Sequence, residues 1–192
     1  MSWRSLVGVA FLGVLAAGCA TTPTAQGNTA LREGRPAEAA EKFSEALASE
    51  PERLDARIGL GISQFRLGSY EDAIRTLTEA VDRSPSHAGA RLFLALAHLR
   101  KREDAQAQEQ FTALRALQLE PRFLALVEQT QTLLRAGPAS DATRTYIVAS
   151  LDYASIWSRE LAETRHALRS AQMAADAAWS RPHYYILRCR NC

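Results

Sequence analysis

The chain lacks most of the features on which catalytic or nucleic-acid-binding sites are built. Among its 192 residues, 23 basic side chains stand against 21 acidic ones, and no run of like charge exceeds three residues. This balance argues against the extended basic surface of a nucleic-acid-binding protein. The four histidines are scattered, without metal-type pairs or a neighbouring nucleophile motif, and no glycine-rich phosphate loop is present. We therefore expect neither enzyme activity nor a cofactor or metal, and no nucleic-acid partner.

Long apolar runs are also missing, apart from one near the N-terminus. Residues 6–17 form an apolar stretch that follows Arg4 and ends in small residues directly before Cys19. About 12 residues rising 1.5 Å each reach only about 18 Å, well short of the roughly 30 Å hydrocarbon core of a bilayer. The pattern therefore predicts a signal peptide over residues 1–18 rather than a lasting transmembrane helix.

The small residues followed by Cys19 closely resemble the lipobox of bacterial lipoprotein signal peptides. The resemblance implies cleavage before Cys19 and acylation of its thiol and of the new amine, which would anchor the protein to a lipid bilayer. Ala20 replaces the Asp that retains such lipoproteins in the inner membrane, so the expected location is the outer membrane, facing the periplasm, with inner-membrane anchoring left open. The alternative is an ordinary signal peptide with an incidental cysteine. Residues 19–29 are polar and interrupted by Pro23 and Gly27, which predicts a lipidated, irregular tether.

The rest of the chain contains an internal repeat of 34 residues. The positions that recur at this interval are Gly34 and Gly68, Ala39 and Ala73, Phe43 and Leu77, Ala46 and Ala80, and Pro51 and Pro85, and a third copy continues with Ala107, Phe111 and Leu114. Small residues allow antiparallel helices to approach closely, and larger ones fill the gaps between them. The glycines suit left-handed helix C-caps, and the prolines stop one helix before the next begins.

These residues resemble the signature of the tetratricopeptide repeat. The resemblance implies an all-α fold, a right-handed α-solenoid of antiparallel helix pairs with three to four repeats over residues 30–155. A degraded fourth copy follows Pro121, with Gly137 at its turn. Helical spacing continues to about residue 180, which predicts a separate C-terminal capping helix over 156–181, followed by a tail over 182–192.

In this family the first helix of each pair lines a concave groove, which implies a protein-binding site at the matching positions. These positions are Ile58, Ile62, Phe65, Arg66, Leu92, Leu96, Leu99 and Arg100. The set is apolar with basic edges, so it suits a protein segment with apolar anchors. Arg66 and Arg100 also belong to a series of hydrophobic–Arg pairs. The series either complements helix C-termini or forms a ladder of guanidinium groups for acidic side chains or lipid phosphates.

Cys189 and Cys192 stand at the end of the chain and are the only thiols left once Cys19 is acylated. In an oxidising periplasm we expect a local disulfide between them. Zinc binding together with His183 is the alternative, and it leaves a fourth ligand unassigned.

Together the two resemblances imply a membrane-anchored scaffold or assembly adaptor in the bacterial cell envelope, pilotin-like or an accessory lipoprotein of an envelope machine. Its expected partners are a periplasmic or outer-membrane protein and, through acylated Cys19, the lipid bilayer. The alternative is a structural or self-associating envelope lipoprotein whose groove is occupied by its own C-terminal helix.

Overall fold

A computed structural model describes residues 22–137 and 139–179, and in this part of the chain all regular secondary structure is helical, without a strand. Its eight helices are α1 (Pro23–Arg32), α2 (Pro36–Ser49), α3 (Leu54–Arg66), α4 (Tyr70–Arg83), α5 (Ala88–Arg100), α6 (Asp104–Arg115), α7 (Pro121–Arg135) and α8 (Asp141–Trp179). None of the helices described is long and apolar enough to cross a membrane.

The first six helices form three stacked hairpins, α1–α2, α3–α4 and α5–α6. Each helix packs against its partner in the hairpin and against the next hairpin along the chain. Positions 34 residues apart have the same environment: Ala39, Ala73 and Ala107 are fully buried, and so are Phe43, Leu77 and Phe111. The predicted helical solenoid is thereby confirmed.

Glycines in the first helices explain how closely these hairpins nest. A Cβ added to Gly61 on α3 would lie 2.6 Å from Cγ of Leu77 on α4, and one added to Gly27 would lie 2.9 Å from the ring of Phe43. A Cβ on Gly59 would lie 2.3 Å from Cζ of the same ring. The Phe43 ring on α2 therefore fills space that only glycines on α1 and α3 leave open.

The turn inside each of the three hairpins closes in the same way. Gly34 and Gly68 adopt left-handed φ angles of 72° and 83°. After Gly68, the amide of Ser69 donates to the carbonyl of Gln64 at 3.0 Å, as in a Schellman motif. Arg102 occupies the equivalent position in the third hairpin with φ 62°, a conformation that is costly for a residue with a Cβ.

The structure differs from the sequence prediction at the N-terminal side of the solenoid. Residues 23–29, predicted to belong to an irregular tether, are part of α1. Thr22 caps this helix by accepting from the amide of Ala25 at 3.3 Å, and Pro23 stands in its first turn, where its missing N–H costs nothing. Gly27 is buried against Phe43. Pro23 and Gly27 thus initiate and pack a helix instead of interrupting one.

The second difference concerns the C-terminal helix. α8 is one continuous helix of 39 residues, so the expected boundary at residue 155 between the fourth repeat and a separate capping helix is not marked by a break. Its sequence contains neither Gly nor Pro, and nothing in it ends a helix. The turn before it contains Gly137 at φ 147°, far from the values at Gly34 and Gly68. α8 packs against α5 and α7, and its residues 166–174 are exposed.

Candidate protein-binding groove

The first helices of the three hairpins lie side by side, with α3 between α1 and α5. A cavity of about 340 Å³ opens along them, and we call it the open groove. Its lining includes Leu31, Arg32, Asp55, Ile58, Ile62 and His87. Two of the eight predicted groove residues, Ile58 and Ile62, therefore lie in this cavity.

The open groove combines an apolar floor with charges of both signs at its edge. Ile58 and Ile62 are buried side chains of α3, whereas Arg32 and Asp55 are exposed. Asp55 accepts from Nε of Arg53 at 3.0 Å, which leaves it part of a local charge pair. Such a surface can hold a peptide segment with apolar anchors flanked by polar or charged side chains.

His87 stands at the start of α5, where the open groove meets a second cavity. Its Nδ1 accepts from the amide of Ala90 at 3.0 Å and so caps the helix. Burial lowers the pKa of His87, because the imidazolium form is less well solvated there. The neutral form that makes the cap carries its proton on Nε2, where it can act as a hydrogen-bond donor.

The C-terminal helix α8 closes the remaining length of the concave side. The predicted groove residues Leu92, Leu96 and Leu99 on α5 are 2%, 0% and 0% exposed. α8 packs on α5 with its own buried side chains, Ile147, Val148 and Leu151. In this conformation Leu96 and Leu99 are out of reach of a partner, and Leu92 is accessible only through the cavity that it lines.

The surroundings of Arg144 and Ser155 show that the first turns of α8 run antiparallel to α5. Near its start, Arg144 forms a bidentate pair with Asp104, just beyond the C-terminus of α5, at 3.0 and 2.6 Å. The hydrogen bond to Asp104 raises the pKa of Arg144. Further along α8, Ser155 lines the second cavity, of about 270 Å³, together with Leu92 and Phe93 from the first turns of α5.

Arg66 lies under α8 and connects three helices. Its Nη1 donates to the carbonyl of Leu31 at the end of α1, and its Nη2 donates to Oδ1 of Asp152 on α8, both at 3.1 Å. Its guanidinium carbon also lies 5.9 Å from the centroid of the Phe93 ring. The contact with Leu31 is the kind expected where a cation complements a helix C-terminus. The carboxylate that pairs with Arg66 comes from the chain itself.

The other two predicted groove residues have different surroundings. Phe65 is buried among aromatic rings, with centroids 5.8 Å from Tyr70 and 5.5 Å from Phe93. Arg100, at the C-terminal end of α5, is exposed.

Sequence reasoning missed Asp55, His87 and Asp152. His87 follows the turn that contains Pro85, at the residue before α5, which is an N-cap position and could have been noticed there. Asp152 directly follows Leu151 in a helical apolar pattern, but the pattern alone does not identify the helix against which it packs.

Within residues 22–137 and 139–179, no cluster of three His, Cys, Asp or Glu side chains could hold a metal ion. The predicted lipidation site Cys19 and the predicted disulfide between Cys189 and Cys192 lie outside the described residues. They remain predictions.

The repeat identified in the sequence and in the hairpins is also found by comparison with known protein families. A family model for the tetratricopeptide repeat matches residues 24–75 and 59–121, which together make up about half of the chain. No curated protein matches the chain.

Proposed function

The chain belongs to the tetratricopeptide-repeat family, whose members are typically non-catalytic scaffolds, and from this premise we propose that it is a membrane-anchored protein-interaction scaffold of the bacterial cell envelope. The observation that carries the proposal is the open groove across α1, α3 and α5. There the apolar side chains of Ile58 and Ile62 line the same cavity as the charged side chains of Arg32 and Asp55. A segment of a periplasmic or outer-membrane protein, with apolar anchors, suits this groove.

Membrane anchoring would proceed through acylated Cys19. Because α1 begins at Pro23, only residues 20–22 separate acylated Cys19 from the first helix, and the four steps from Cys19 to Pro23 span at most about 13 Å. The solenoid would therefore sit against the bilayer surface, in the outer membrane and facing the periplasm. A scaffold held there suits the assembly of an envelope complex, in a pilotin-like or accessory role.

Crosslinking in membranes followed by affinity purification tests the groove. The informative variant exchanges the two exposed charges at its edge, Arg32→Glu with Asp55→Arg. The control makes the same kind of exchange on α4, away from the groove, at Arg75→Glu with Asp72→Arg, which are also exposed and form an ion pair. We expect the groove variant to lose a dominant crosslinked partner that the α4 variant retains. An identical set of partners for both variants and the wild type would contradict the proposal.

The anchor has a separate test. Mass spectrometry should find acyl chains on Cys19, and Cys19→Ala should release the protein from the membrane fraction. A Cys19→Ala variant that stays in the membrane fraction, or an unmodified Cys19 in the mature protein, would contradict lipid anchoring.

A structural role is the second candidate, and the position of α8 favours it. α8 packs on α5, on which the predicted groove residues Leu96 and Leu99 are fully buried. A chain that keeps its groove closed in this way would support envelope structure or self-association. Under this candidate, a single crosslinked species, composed of copies of the chain itself, is expected.

A further inference from the structure

We propose that the first turns of α8, residues 141–155, are an internal ligand of the concave surface, and that the external partner is an amphipathic helix that displaces them. The inference deepens the proposed function and rests on it, since it assumes that the concave surface binds proteins. It specifies the kind of partner and the side chains that recognise it.

The apolar face of this segment has the spacing of a groove-binding helix. Ile147, Val148 and Leu151 are buried, whereas Tyr146 and Tyr153 on the opposite face are exposed. Positions i, i+1 and i+4 lie on one side of a helix. This side packs on α5, in which the predicted groove residues Leu92 and Leu96 are buried. A helix thus already occupies the surface in the manner expected of a bound partner.

Charge pairs hold both ends of the segment. Arg144 pairs with Asp104, and Asp152 pairs with Arg66, and all four side chains are largely shielded from solvent. The two α8 positions are eight residues apart, which corresponds to about 12 Å along the helix. The concave surface therefore presents an acidic and a basic contact at a defined separation, with an apolar stretch between them.

The covered surface is continuous with the open groove. His87 and Gly89 line both the open groove and the second cavity, which Ser155 of α8 borders. If residues 141–155 moved away, Leu92 and Leu96 would extend the apolar floor formed by Ile58 and Ile62. A partner helix would then find one groove across α3 and α5.

Three features of the described residues would permit residues 141–155 to move away from α5. α8 packs on α5 and α7, whereas α3 lies between neighbouring hairpins on both sides. Beyond the covering segment, residues 166–174 of α8 are exposed, so no described part of the chain holds that length down. Gly137, in the connection to α7, can absorb a change in backbone direction.

The contacts of α8 define the chemistry of the partner. It should be a helix with apolar side chains at positions i, i+1 and i+4 and a carboxylate at i+5, in the place of Asp152. The carboxylate would accept from Arg66 once Asp152 has left.

A fluorescently labelled synthetic peptide of residues 141–155, titrated into the full chain, tests the proposal without any cellular partner. The variant that should lift α8 is Leu151→Glu with Asp152→Arg, which places a charge in the apolar contact and repels Arg66. We expect it to bind the peptide at least tenfold more tightly than the wild type, in which α8 competes. The matched control, Thr145→Glu with Tyr146→Arg, changes two adjacent exposed residues of the same helix and should bind as weakly as the wild type.

A charge exchange then tests recognition by Arg66. In a chain lifted by Leu151→Glu with Asp152→Asn, whose residue 152 can form an ion pair with neither charge at position 66, Arg66→Glu should weaken binding of the peptide at least tenfold, and a peptide carrying Asp152→Arg should restore it. Equal binding of both peptides by both proteins would overturn the assigned role of Arg66. A lifted variant that keeps amide protection in α3–α6 but binds the peptide no better than the wild type would overturn the whole inference.

Hydrogen exchange on the unmodified chain keeps the inference testable if the lifted variant misfolds. Amides of residues 141–155 should exchange at least tenfold faster than those of α3 and α5, because the segment opens while the repeats stay folded. If the amides of residues 141–155 were as protected as those of α3 and α5, the segment would not leave the concave surface while the repeats stay folded, and the inference would be overturned. If residues 141–155 exchange no faster than the repeats but a groove-dependent partner is still recovered from membranes, the partner uses the open groove alone. The proposed function would then stand while this inference fails.

Discussion

The three hairpins of α1–α6 and the pair α7–α8 contain similar residues but pack differently. In the hairpins, a large side chain of the second helix meets a glycine or another small residue on the first, as Leu77 meets Gly61. Each hairpin also closes through a left-handed residue with φ between 62° and 83°. In the last pair the turn glycine, Gly137, has φ 147°, and the second helix lies against α5 instead of completing a fourth regular layer.

The difference shows which part of a repeat determines its packing. Helix formation does not depend on the signature, since α7 and α8 are helices without most of it. Nesting does depend on it, because a hairpin closes only where small residues allow two backbones to approach. A helix that does not nest in this way still has an apolar face to bury. α8 buries its apolar side chains in contacts with α5 and α7.

Shortening one fully buried leucine in each region tests this contrast with the largest effect. Leu77 on α4 and Leu151 on α8 are both 0% exposed, so Leu→Ala removes the same atoms from the same degree of burial. We expect Leu77→Ala to lower the free energy of unfolding by about 4 kcal/mol and Leu151→Ala by about 2 kcal/mol. The first leaves a cavity between nested helices, whereas α8 can shift or lift. Denaturant unfolding followed by circular dichroism measures both.

Hydrogen exchange shows where each loss occurs. Leu77→Ala should reduce amide protection throughout α1–α6, because neighbouring hairpins stabilise one another. Leu151→Ala should reduce it in α8 alone. If both substitutions lowered protection over the same residues, the two regions would be one cooperative unit and the comparison would be wrong.

A smaller effect of opposite sign is expected at the turn of the third hairpin. Arg102 has the left-handed conformation that Gly34 and Gly68 adopt in the other two. Arg102→Gly should therefore raise the free energy of unfolding by about 0.5 to 1 kcal/mol, because glycine has no Cβ to strain there. The ion pair with Asp141 that it removes is 68% exposed on both sides and contributes little. Thermal or denaturant unfolding is the measurement.

Gly68→Arg is the reverse change and serves as the control. It places a Cβ at φ 83° and should destabilise the chain by about 1 to 2 kcal/mol. A gain in stability from Gly68→Arg, or a loss from Arg102→Gly, would show that the turns are not equivalent.

The repeated positions of the fold could be predicted from the sequence, whereas its first helix could not. Positions such as Ala39, Ala73 and Ala107 could be assigned to the core from the 34-residue interval alone, because a repeat places equivalent residues in equivalent environments. The start of the solenoid could not be assigned in this way. Pro23 and Gly27 are helix breakers when considered locally, and only the contact between Gly27 and Phe43 makes them part of a packed helix.

The candidate site could also be predicted only in part. The repeat pattern places Ile58 and Ile62 on the concave side, where the open groove lies. The apolar positions Ile147, Val148 and Leu151 predict that α8 buries one face, but helical spacing alone cannot identify the surface that receives it. The pairing of Asp152 with Arg66 joins residues 86 positions apart, and no local sequence signal encodes it.

The smallest effect concerns His87, which lies where the regular repeats meet the surface covered by α8. Burial lowers its pKa below the value in the unfolded chain, so protonation favours unfolding. Its contribution is present above its ordinary pKa of about 6.5 and is lost as the pH falls through the lower folded value. Asp55 and Glu120 are the acidic residues that line the adjoining cavities. His87→Asn retains an N-cap acceptor that does not titrate. Between about pH 7.5 and 5 the wild type should therefore lose more stability than His87→Asn, by well under about 1 kcal/mol because the side chain is partly exposed. Parallel pH-stability curves that do not diverge would remove His87 from this role.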